Sequence, residues 1–275
     1  MNVLRIAAFS YNNTGGNPAG VVLCEQLPDD DAMLKTAAKV GYSETAFLAP
    51  TDNGWRVRYF SPEREVPFCG HATIASGAAL GEHSGAGEYR LRLNGGEISI
   101  SVEADKSSYS VALQSPQTWS EKAEQGLVDT LLDLFHISKA DLNGDFPVRI
   151  AFAGARHLII VLNDRDRLAE MGYDFDAVKS IMLEQDLITI SLLYKESDKL
   201  FHSRNAFAYG GVVEDPATGA AAAALAGYLR DIGWQGERKF EILQGFDMGV
   251  PSRLVVEYSD TVGASVSVSG ATRNI

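Results

Sequence analysis

Cysteine is scarce in this sequence, which contains only Cys24 and Cys69 among its 275 residues. Two cysteines cannot form the disulfide framework that stabilises small secreted domains, and the count suits a reducing compartment. Long apolar runs are also missing, since none reaches the roughly 20 residues that a membrane-spanning helix needs. The N-terminal stretch MNVLRIAAFS lacks a basic segment followed by a long apolar one, so we expect no signal peptide. We therefore expect a cytoplasmic protein that does not act on a membrane.

Basic residues are few. The sequence contains 24 Lys and Arg residues and 36 Asp and Glu residues, so its net charge is -12. This balance argues against nucleic acid as a partner, since phosphate groups are neutralised by clustered Lys and Arg. A small anionic substrate remains compatible, because local helix dipoles can outweigh the net charge. Hydrophobic residues make up 45% of the chain, which is enough for a packed core in one large domain or two ordinary ones.

The sequence motifs of common metal and cofactor sites are absent. No Cys/His spacing matches a zinc site, and neither a Walker A motif nor a GxGxxG turn between a strand and a helix occurs. The GxSxG nucleophile elbow is missing as well. We therefore expect neither a metal nor a cofactor.

The pattern of apolar residues predicts strands and helices in two similar halves. Residues 28–41 predict a helix, because acidic residues fill its first turn and Gly41 can end it in the left-handed conformation. Polar residues at 116–124 interrupt the strand pattern, so we place a domain boundary there. The predicted lobes are 1–117 and 118–261, and we expect the C-terminal strand at about 262–275 to return to the first lobe.

One helix in each half is unusually poor in large side chains. Each begins at a glycine turn, CGHAT at 69–73 and ATGAA at 217–221. A helix that is apolar on all sides is buried on all sides. The sequence therefore predicts an α+β fold with two pseudo-symmetric lobes, each a barrel-like, mostly antiparallel sheet wrapped around a central helix. Ala-rich core helices in a single α+β domain are the alternative.

The first N–H groups of a helix lack partners within it, and the positive end of the helix dipole lies there. Small residues let an anion approach these groups, so we expect the two helix starts to hold a carboxylate in one cleft between the lobes. Ordinary helix capping is the alternative. The candidate binding residues are Gly70, Ala72 and Thr73 in the first turn, and Thr218, Gly219 and Ala220 in the second.

Three ionisable residues are candidates for proton transfer. Glu44 stands immediately before an apolar strand, where partial burial of a carboxyl group favours general acid and base chemistry. His71 lies in the first helix start, where it can hydrogen-bond or pass a proton. Asp215 precedes the second glycine turn. The alternatives are an exposed strand-end glutamate, a capping or core histidine, and an ordinary aspartate at a helix start.

Five motifs together resemble the PhzF-like family, named after the phenazine biosynthesis isomerase, within the diaminopimelate epimerase-like superfamily. They are GNPAGVVL (16–23), SETAFL (43–48), FSPEREVPFCGHAT (60–73), EDPATGAAAAALAGYL (214–229) and ILQGFDMGVPS (242–252). The resemblance runs along nearly the whole chain. It implies two similar barrel-like lobes with the active site between them, and a cofactor-free isomerisation of a dihydroxylated cyclohexadiene carboxylate by proton shuttling.

The resemblance also implies roles for particular residues. It makes Glu44, His71 and Asp215 catalytic, and it adds Asn17 and Ser43 to the substrate-binding residues of the two helix starts. Two positions depart from the family pattern. Ala220 stands where the family often has serine, and Val250 where it often has arginine. Both departures weigh against the phenazine substrate itself.

Related epimerases and proline racemases carry a cysteine before each of two glycine turns. Here Cys69 occupies the first place, but Pro216 stands in the second turn, which disfavours a racemase with two thiols. We expect Cys69 to be a packed core residue, with a thiol–carboxylate pair of Cys69 and Glu44 as the alternative. The predicted function is a cofactor-free isomerase of a small carboxylate. The alternatives are a racemase or epimerase of an amino or hydroxy acid, and an inactive binding or scaffold protein. A homodimer is also expected, because exposed barrel edges favour pairing.

Overall fold

The structure is a computed structural model that describes residues 1–105 and 108–275. The chain divides into two compact units. Unit 1 comprises Met1–Gln114 together with Ser269–Ile275, and unit 2 comprises Ser115–Val268. The protein is a mixed α/β protein that contains a closed β-barrel. None of its described helices combines the length and the apolarity needed to cross a bilayer.

The elements of the N-terminal part are β1 (Leu4–Ala8), β2 (Asn17–Leu23), α1 (Asp30–Val40), β3 (Thr45–Thr51), β4 (Gly54–Phe60), β5 (Glu65–Val66), α2 (Gly70–Ser84), β6 (Gly87–Arg92), β7 (Glu97–Asp105) and β8 (Ser108–Gln114). Those that follow are β9 (Trp119–Lys122), α3 (Gln125–Leu134), β10 (Arg149–Phe152), β11 (Arg156–Leu162), α4 (Arg165–Ala169), α5 (Phe175–Gln185), β12 (Leu187–Ser197), β13 (Leu200–Ala206), β14 (Glu214–Asp215), α6 (Gly219–Asp231), β15 (Lys239–Gln244), β16 (Ser252–Glu257) and β17 (Ser267–Asn274). Short 3₁₀ helices span Lys139–Asp141, Ala208–Gly210 and Phe246–Met248.

Eight strands of unit 1 close into a barrel. Their order is β1, β2, β3, β4, β6, β7, β8 and β17, and β17 pairs with β1 again. The pairs β2/β3 and β4/β6 are parallel. The last strand comes from the C-terminus of the chain, since Ile6 in β1 faces Asn274 in β17. Closure of the barrel therefore needs both ends of the chain.

The helix α2 packs against β1, β2, β3, β7 and β8 of this barrel. Every residue from His71 to Gly81 is buried. The approach to β8 is so close that a Cβ atom on Gly77 would lie 2.5 Å from a methyl carbon of Val111. Small residues are required here because a side chain at this position would collide with the strand.

The helix α1 lies against β3 and β4 in unit 1 and ends as its sequence predicts. The Asp29 side chain accepts the Ala32 N–H at 2.8 Å, which caps the first turn, and Gly41 ends the helix with φ 74°. Met33 and Ala37 pack with buried side chains of β2, β3 and β4. The predicted helix at 28–41 is thereby confirmed.

Unit 2 is built on a sheet in the order β9, β10, β11, β12, β13, β15 and β16, with β14 also paired to β13. Alternate residues of β11 point to opposite faces. Leu158 and Ile160 join a core with residues of α3 and α5. The small-residue helix α6 packs on β9, β10, β11 and β16.

The strand β9 lies in the polar segment 116–124, which interrupts the strand pattern of the sequence and was predicted to be a domain boundary. Its residues, WSEK, are mostly exposed, and they pair antiparallel with β10. The sequence prediction missed this strand because four residues with little buried apolar character give no detectable alternation.

Candidate functional site

Glu44 is held at the start of β3. Its backbone carbonyl accepts the Gly20 N–H at 3.2 Å, which continues the parallel pairing of β2 and β3 by one residue. The next five residues, 45–49, are buried, whereas the Glu44 side chain keeps 16% of its surface exposed. The strand thus positions a partly buried carboxylate that a small molecule can still reach.

His71, in the first turn of α2, connects three polar side chains of unit 1. Its Nε2 atom lies 3.3 Å from Oε2 of Glu44 and 3.3 Å from Oγ of Ser43. Its Nδ1 atom lies 3.3 Å from Sγ of Cys69. A neutral ring with its proton on Nε2 fits this arrangement, because Nε2–H can donate to the carboxylate while Nδ1 accepts from the thiol.

The start of α2 is fixed by Cys69, Thr73 and Tyr59. The Thr73 hydroxyl donates to the Cys69 carbonyl at 2.7 Å, and the Tyr59 hydroxyl lies 2.6 Å from the same Thr73 oxygen. Burial raises the pKa of Tyr59, so its hydroxyl stays protonated and donates. Thr73 is fully buried, and its side chain supports the turn from within the core. The sequence motifs gave no signal for Tyr59.

The backbone amides of Gly70, His71 and Ala72 precede the first intrahelical bond of α2, which runs from Thr73 N–H to the Cys69 carbonyl at 3.0 Å. Amides in this position carry the positive end of the helix dipole. Gly70 is partly exposed, and Ala72 is fully buried. Asn17, the remaining predicted binding residue of unit 1, is the first residue of β2 and is 2% exposed.

A second polar group lies in unit 2, at the start of α6. The Thr218 hydroxyl donates to Oδ2 of Asp215. Gln244 donates through Nε2 to the Asp215 carbonyl at 2.7 Å and accepts the Thr218 N–H at 3.2 Å. The buried Gln244 therefore ties the residues on either side of the DPAT turn together. Sequence reasoning missed it, although a glutamine at an inward position of a strand, followed by glycine, is a usable signal.

The segment that carries Asp215 is anchored by an ion pair. Nη2 of Arg204 lies 2.5 Å from Oε2 of Glu214, whose side chain is only 4% exposed. Arg204 also donates to the Ala169 carbonyl at 2.7 Å. The amides of Gly219 and Ala220 follow directly and precede the first bond of α6, from Ala222 N–H to the Thr218 carbonyl. Asp215 is thus placed by a short, strongly held strand.

The structure therefore groups the predicted residues in two sets. Ser43, Glu44 and His71 meet in unit 1, together with Cys69. Asp215 and Thr218 meet in unit 2. In the first set, the ligating atoms of Glu44, Cys69 and His71 all lie within 4.8 Å of one another. From the sequence, a pair of Cys69 and Glu44 was only an alternative and did not include His71, because Glu44 joins the other two residues of this carboxylate–thiol–imidazole cluster only through the fold.

Comparison with known proteins adds a family match. The sequence model of a family described as "Phenazine biosynthesis-like protein" matches residues 6–273. A protein of Bacillus subtilis (strain 168), described as the uncharacterized isomerase YfhB, is 29% identical over 98% of this chain and 94% of its own length. The trans-2,3-dihydro-3-hydroxyanthranilate isomerase of Pseudomonas fluorescens is 30% identical over 91% of this chain and 88% of its own length.

A solved structure shares the fold. It is the phenazine biosynthesis protein of the PhzF family from Bacillus anthracis, which superposes with a TM-score of 0.87 at 22% identity. The superposition covers 99% of this chain and 96% of that one.

Proposed function

Because the chain belongs to the phenazine biosynthesis-like family, we propose that this isomerase moves a proton within a small carboxylate substrate, without a cofactor, and that Glu44 is its general acid and base. The observation that carries the proposal is the pairing of a partly exposed carboxylate with a buried imidazole, at 3.3 Å, beside the start of a helix. Two curated relatives with the name isomerase support the reaction class.

The proposed mechanism uses the side chains of unit 1. The Glu44 carboxylate takes a proton from one carbon of the substrate and returns it to another carbon on the same face. His71 holds the carboxylate through Nε2–H and keeps it pointed at the substrate, and Ser43 supports the ring at Nε2. A single group that first accepts and then donates the proton needs no external acid.

The substrate carboxylate is proposed to bind at the amides that open α2. These N–H groups and the helix dipole favour an anion. Gly70 is partly exposed and has no side chain, so it leaves the backbone of this turn open to close approach. The proton that Glu44 removes is then made more acidic, because negative charge that develops in the substrate lies near the positive end of the helix.

Asp215 is proposed to orient substrate and to share protons, and Asn17, Thr218, Gly219 and Ala220 are proposed to contact it. The role of Asp215 is supported by its contacts within unit 2. Asp215 is held by Thr218 and Gln244 next to a helix that starts as α2 does, with small residues and amides ahead of its first bond.

The recurrence of a small-residue helix against strands in each unit supports the expectation of two related lobes. A cytoplasmic location, a homodimer and the absence of nucleic acid partners stay predictions from the sequence.

The substrate class is tested by proton exchange. Trans-2,3-dihydro-3-hydroxyanthranilate, the compound in the name of the Pseudomonas fluorescens relative, is included as a reference although Ala220 and Val250 weigh against it. A metabolite extract screened by thermal stabilisation supplies the other candidates. A stabilising carboxylate is incubated with enzyme in heavy water and followed by proton NMR. We expect an isomerised product that carries solvent deuterium at one carbon. Exchange at a single stereocentre with loss of optical rotation would identify a racemase instead, and stabilisation without any exchange would identify a binding protein.

A further inference from the structure

The carboxylate–thiol–imidazole cluster has the composition of a metal site. We propose that Glu44, Cys69 and His71 bind Zn²⁺, and that the bound ion blocks the isomerase reversibly. The inhibitory part rests on the proposed function, because it requires Glu44 to be the proton carrier. The binding part rests on geometry alone.

The spacing of the three ligand atoms suits zinc. Bonds of about 2.0 to 2.3 Å in a tetrahedral arrangement place neighbouring ligand atoms about 3.3 to 3.8 Å apart. Nε2 of His71 lies 3.3 Å from Oε2 of Glu44 and 3.9 Å from Sγ of Cys69, and the ligating atoms of the whole cluster lie within 4.8 Å of one another. Small rotations of the Glu44 side chain, which is the most exposed of the three, are enough to complete the site.

The donor set selects the metal. A thiolate and an imidazole favour zinc over magnesium or calcium, which prefer oxygen ligands. Three protein ligands leave the fourth position of a tetrahedral ion open to water or to a substrate oxygen. The thiolate and the carboxylate together carry two negative charges, which offset the charge of the ion at the positive end of α2.

Binding has a defined proton balance. The Cys69 thiol releases its proton to the buffer and forms a sulfur–zinc bond, and His71 binds through a ring nitrogen in its neutral form. Glu44 then donates an oxygen lone pair to zinc and can no longer accept a proton from carbon. Loss of activity therefore follows directly from occupation of the site.

The test of binding uses Zn²⁺ alone in competition with a chromophoric chelator of known affinity, on the reduced full-length chain. We expect one ion per chain. Cys69→Ser and His71→Gln should each weaken zinc binding by at least about 100-fold. Loss of a residue that only hydrogen-bonds to a metal ligand weakens binding by up to about 100-fold, so loss of a direct ligand should cost at least that much. Cys24→Ser and His202→Gln are the matched controls, since they remove the other cysteine and a histidine paired with Glu196. Equal zinc affinity in Cys69→Ser and the unchanged chain overturns the site.

A second measurement avoids any dependence on the folding of variants. Co²⁺ replaces zinc in such sites and reports its ligands by absorption. The unchanged chain should show a thiolate-to-cobalt charge-transfer band together with visible bands of tetrahedral intensity. Cobalt binding without the thiolate band, or no saturable binding of either ion, overturns the proposal.

The two proposals fail in distinguishable ways. Zinc binding is measured without substrate, so it stands or falls independently of the reaction. When the substrate is known, activity should fall in proportion to zinc occupancy and return fully with a chelator. Stoichiometric zinc whose affinity falls in Glu44→Gln as well as in Cys69→Ser and His71→Gln, together with unchanged turnover, would overturn the inhibitory part and reject Glu44 as the proton carrier, while the metal site would stand.

Discussion

The Nε2 atom of His71 and Oε2 of Glu44 lie 3.3 Å apart, one in the first turn of a buried helix and the other at the start of a barrel strand. Neither element can move alone, since α2 packs against β3 inside unit 1. The pair is therefore held by the barrel core and not by a mobile loop. This rigidity makes substitutions at Glu44 interpretable, because a change in rate can be assigned to the carboxylate.

Glu44→Gln should lower turnover of the identified substrate by at least about a hundredfold, with folding retained. Glutamine keeps the size and the hydrogen bond to His71 but cannot accept a proton, and a positioned general base typically contributes about 10² to 10⁴ in rate. Deuterium incorporation into substrate in heavy water should fall in parallel. Glu63→Gln, at an exposed turn position, is the control and should keep full activity.

Cys69→Ser separates the carboxylate shuttle from a thiol-based mechanism. In the proposed mechanism the thiol takes no proton from the substrate, so this variant should lose less than about tenfold in rate, well short of the loss expected from removing a general base. Steady-state rates of the two variants are compared on the same substrate. An active Glu44→Gln enzyme beside an inactive Cys69→Ser enzyme would replace the shuttle with a racemase-like reaction.

His157 should make the protein less stable in acid. Burial lowers the pKa of this histidine to about 3, because the charged ring cannot be solvated inside unit 2. The unfolded chain takes up the proton near pH 6.5 and the folded chain only near pH 3, so the stabilisation is complete above about pH 6.5 and is lost as the pH falls toward 3. The contribution to the slope is about 1.4 kcal/mol per pH unit within that window.

The measurement is urea unfolding of the unchanged chain and of His157→Asn between pH 6 and pH 4.5. The free energy of unfolding of the variant should depend less steeply on pH than that of the unchanged chain. The test compares these two slopes and not the stabilities at any one pH. His136→Asn is the control, because His136 is exposed and its φ of 55° is one that asparagine tolerates. Identical slopes for His157→Asn and the unchanged chain would show that this ring titrates normally.

Arg204→Met should destabilise unit 2 by about 3 to 5 kcal/mol, because it leaves the buried carboxylate of Glu214 without a counter-charge. The double variant Arg204→Met with Glu214→Leu should recover much of this loss, since two apolar groups can replace a buried ion pair. Chemical unfolding of both single variants and the double variant gives the coupling energy. Additive losses would mean that the pair does not interact across the 2.5 Å contact.

Gly77→Ala should destabilise unit 1 by about 1 to 3 kcal/mol. The added carbon would lie 2.5 Å from a Val111 methyl carbon, and overpacking in a tight core costs energy in this range. Gly126→Ala is the matched control in an exposed first turn of α3, where alanine should be neutral or stabilising. Thermal unfolding of the two variants is sufficient, and a stabilising Gly77→Ala would show that α2 has room beside β8.

Local sequence signals predicted the elements whose ends carry strong stereochemical preferences. The helix α1 is an example, since acidic residues fill its first turn and Gly41 ends it in the left-handed conformation, both as expected. The tripeptide NGG at 94–96 is a second signal of this kind, since such a turn favours the hairpin that joins β6 to β7, where Gly96 takes φ 157° and its carbonyl accepts the Leu93 N–H. The short strand β9 could not be found in the same way, since its pairing with β10 and not its own pattern makes it a strand.

Only those site residues that lie in recognisable sequence motifs could be predicted. Glu44 and His71 were singled out by their positions beside an apolar strand and at a helix start, and the family resemblance implied their catalytic roles. Their contact with each other could not be predicted, because no spacing rule joins residues on separate elements. Gln244, Tyr59 and Arg204 were not identified, although they fix the polar groups in place. Each acts through a contact that exists only after folding, and so its role depends on the fold and not on its neighbours in sequence.

The strand that completes the barrel, β17, is separated in sequence from the other barrel strands by the whole of unit 2. When residues 1–114 emerge from the ribosome, β1 and β8 cannot yet pair with β17. The barrel stays open until residues 115–268 have been synthesised. Unit 2 is continuous in sequence and can fold as soon as it emerges. The N-terminal half should therefore mature second and carry two open strand edges in the meantime, which are sites for mispairing with other nascent chains. Slow translation of the C-terminal codons should thus favour aggregation.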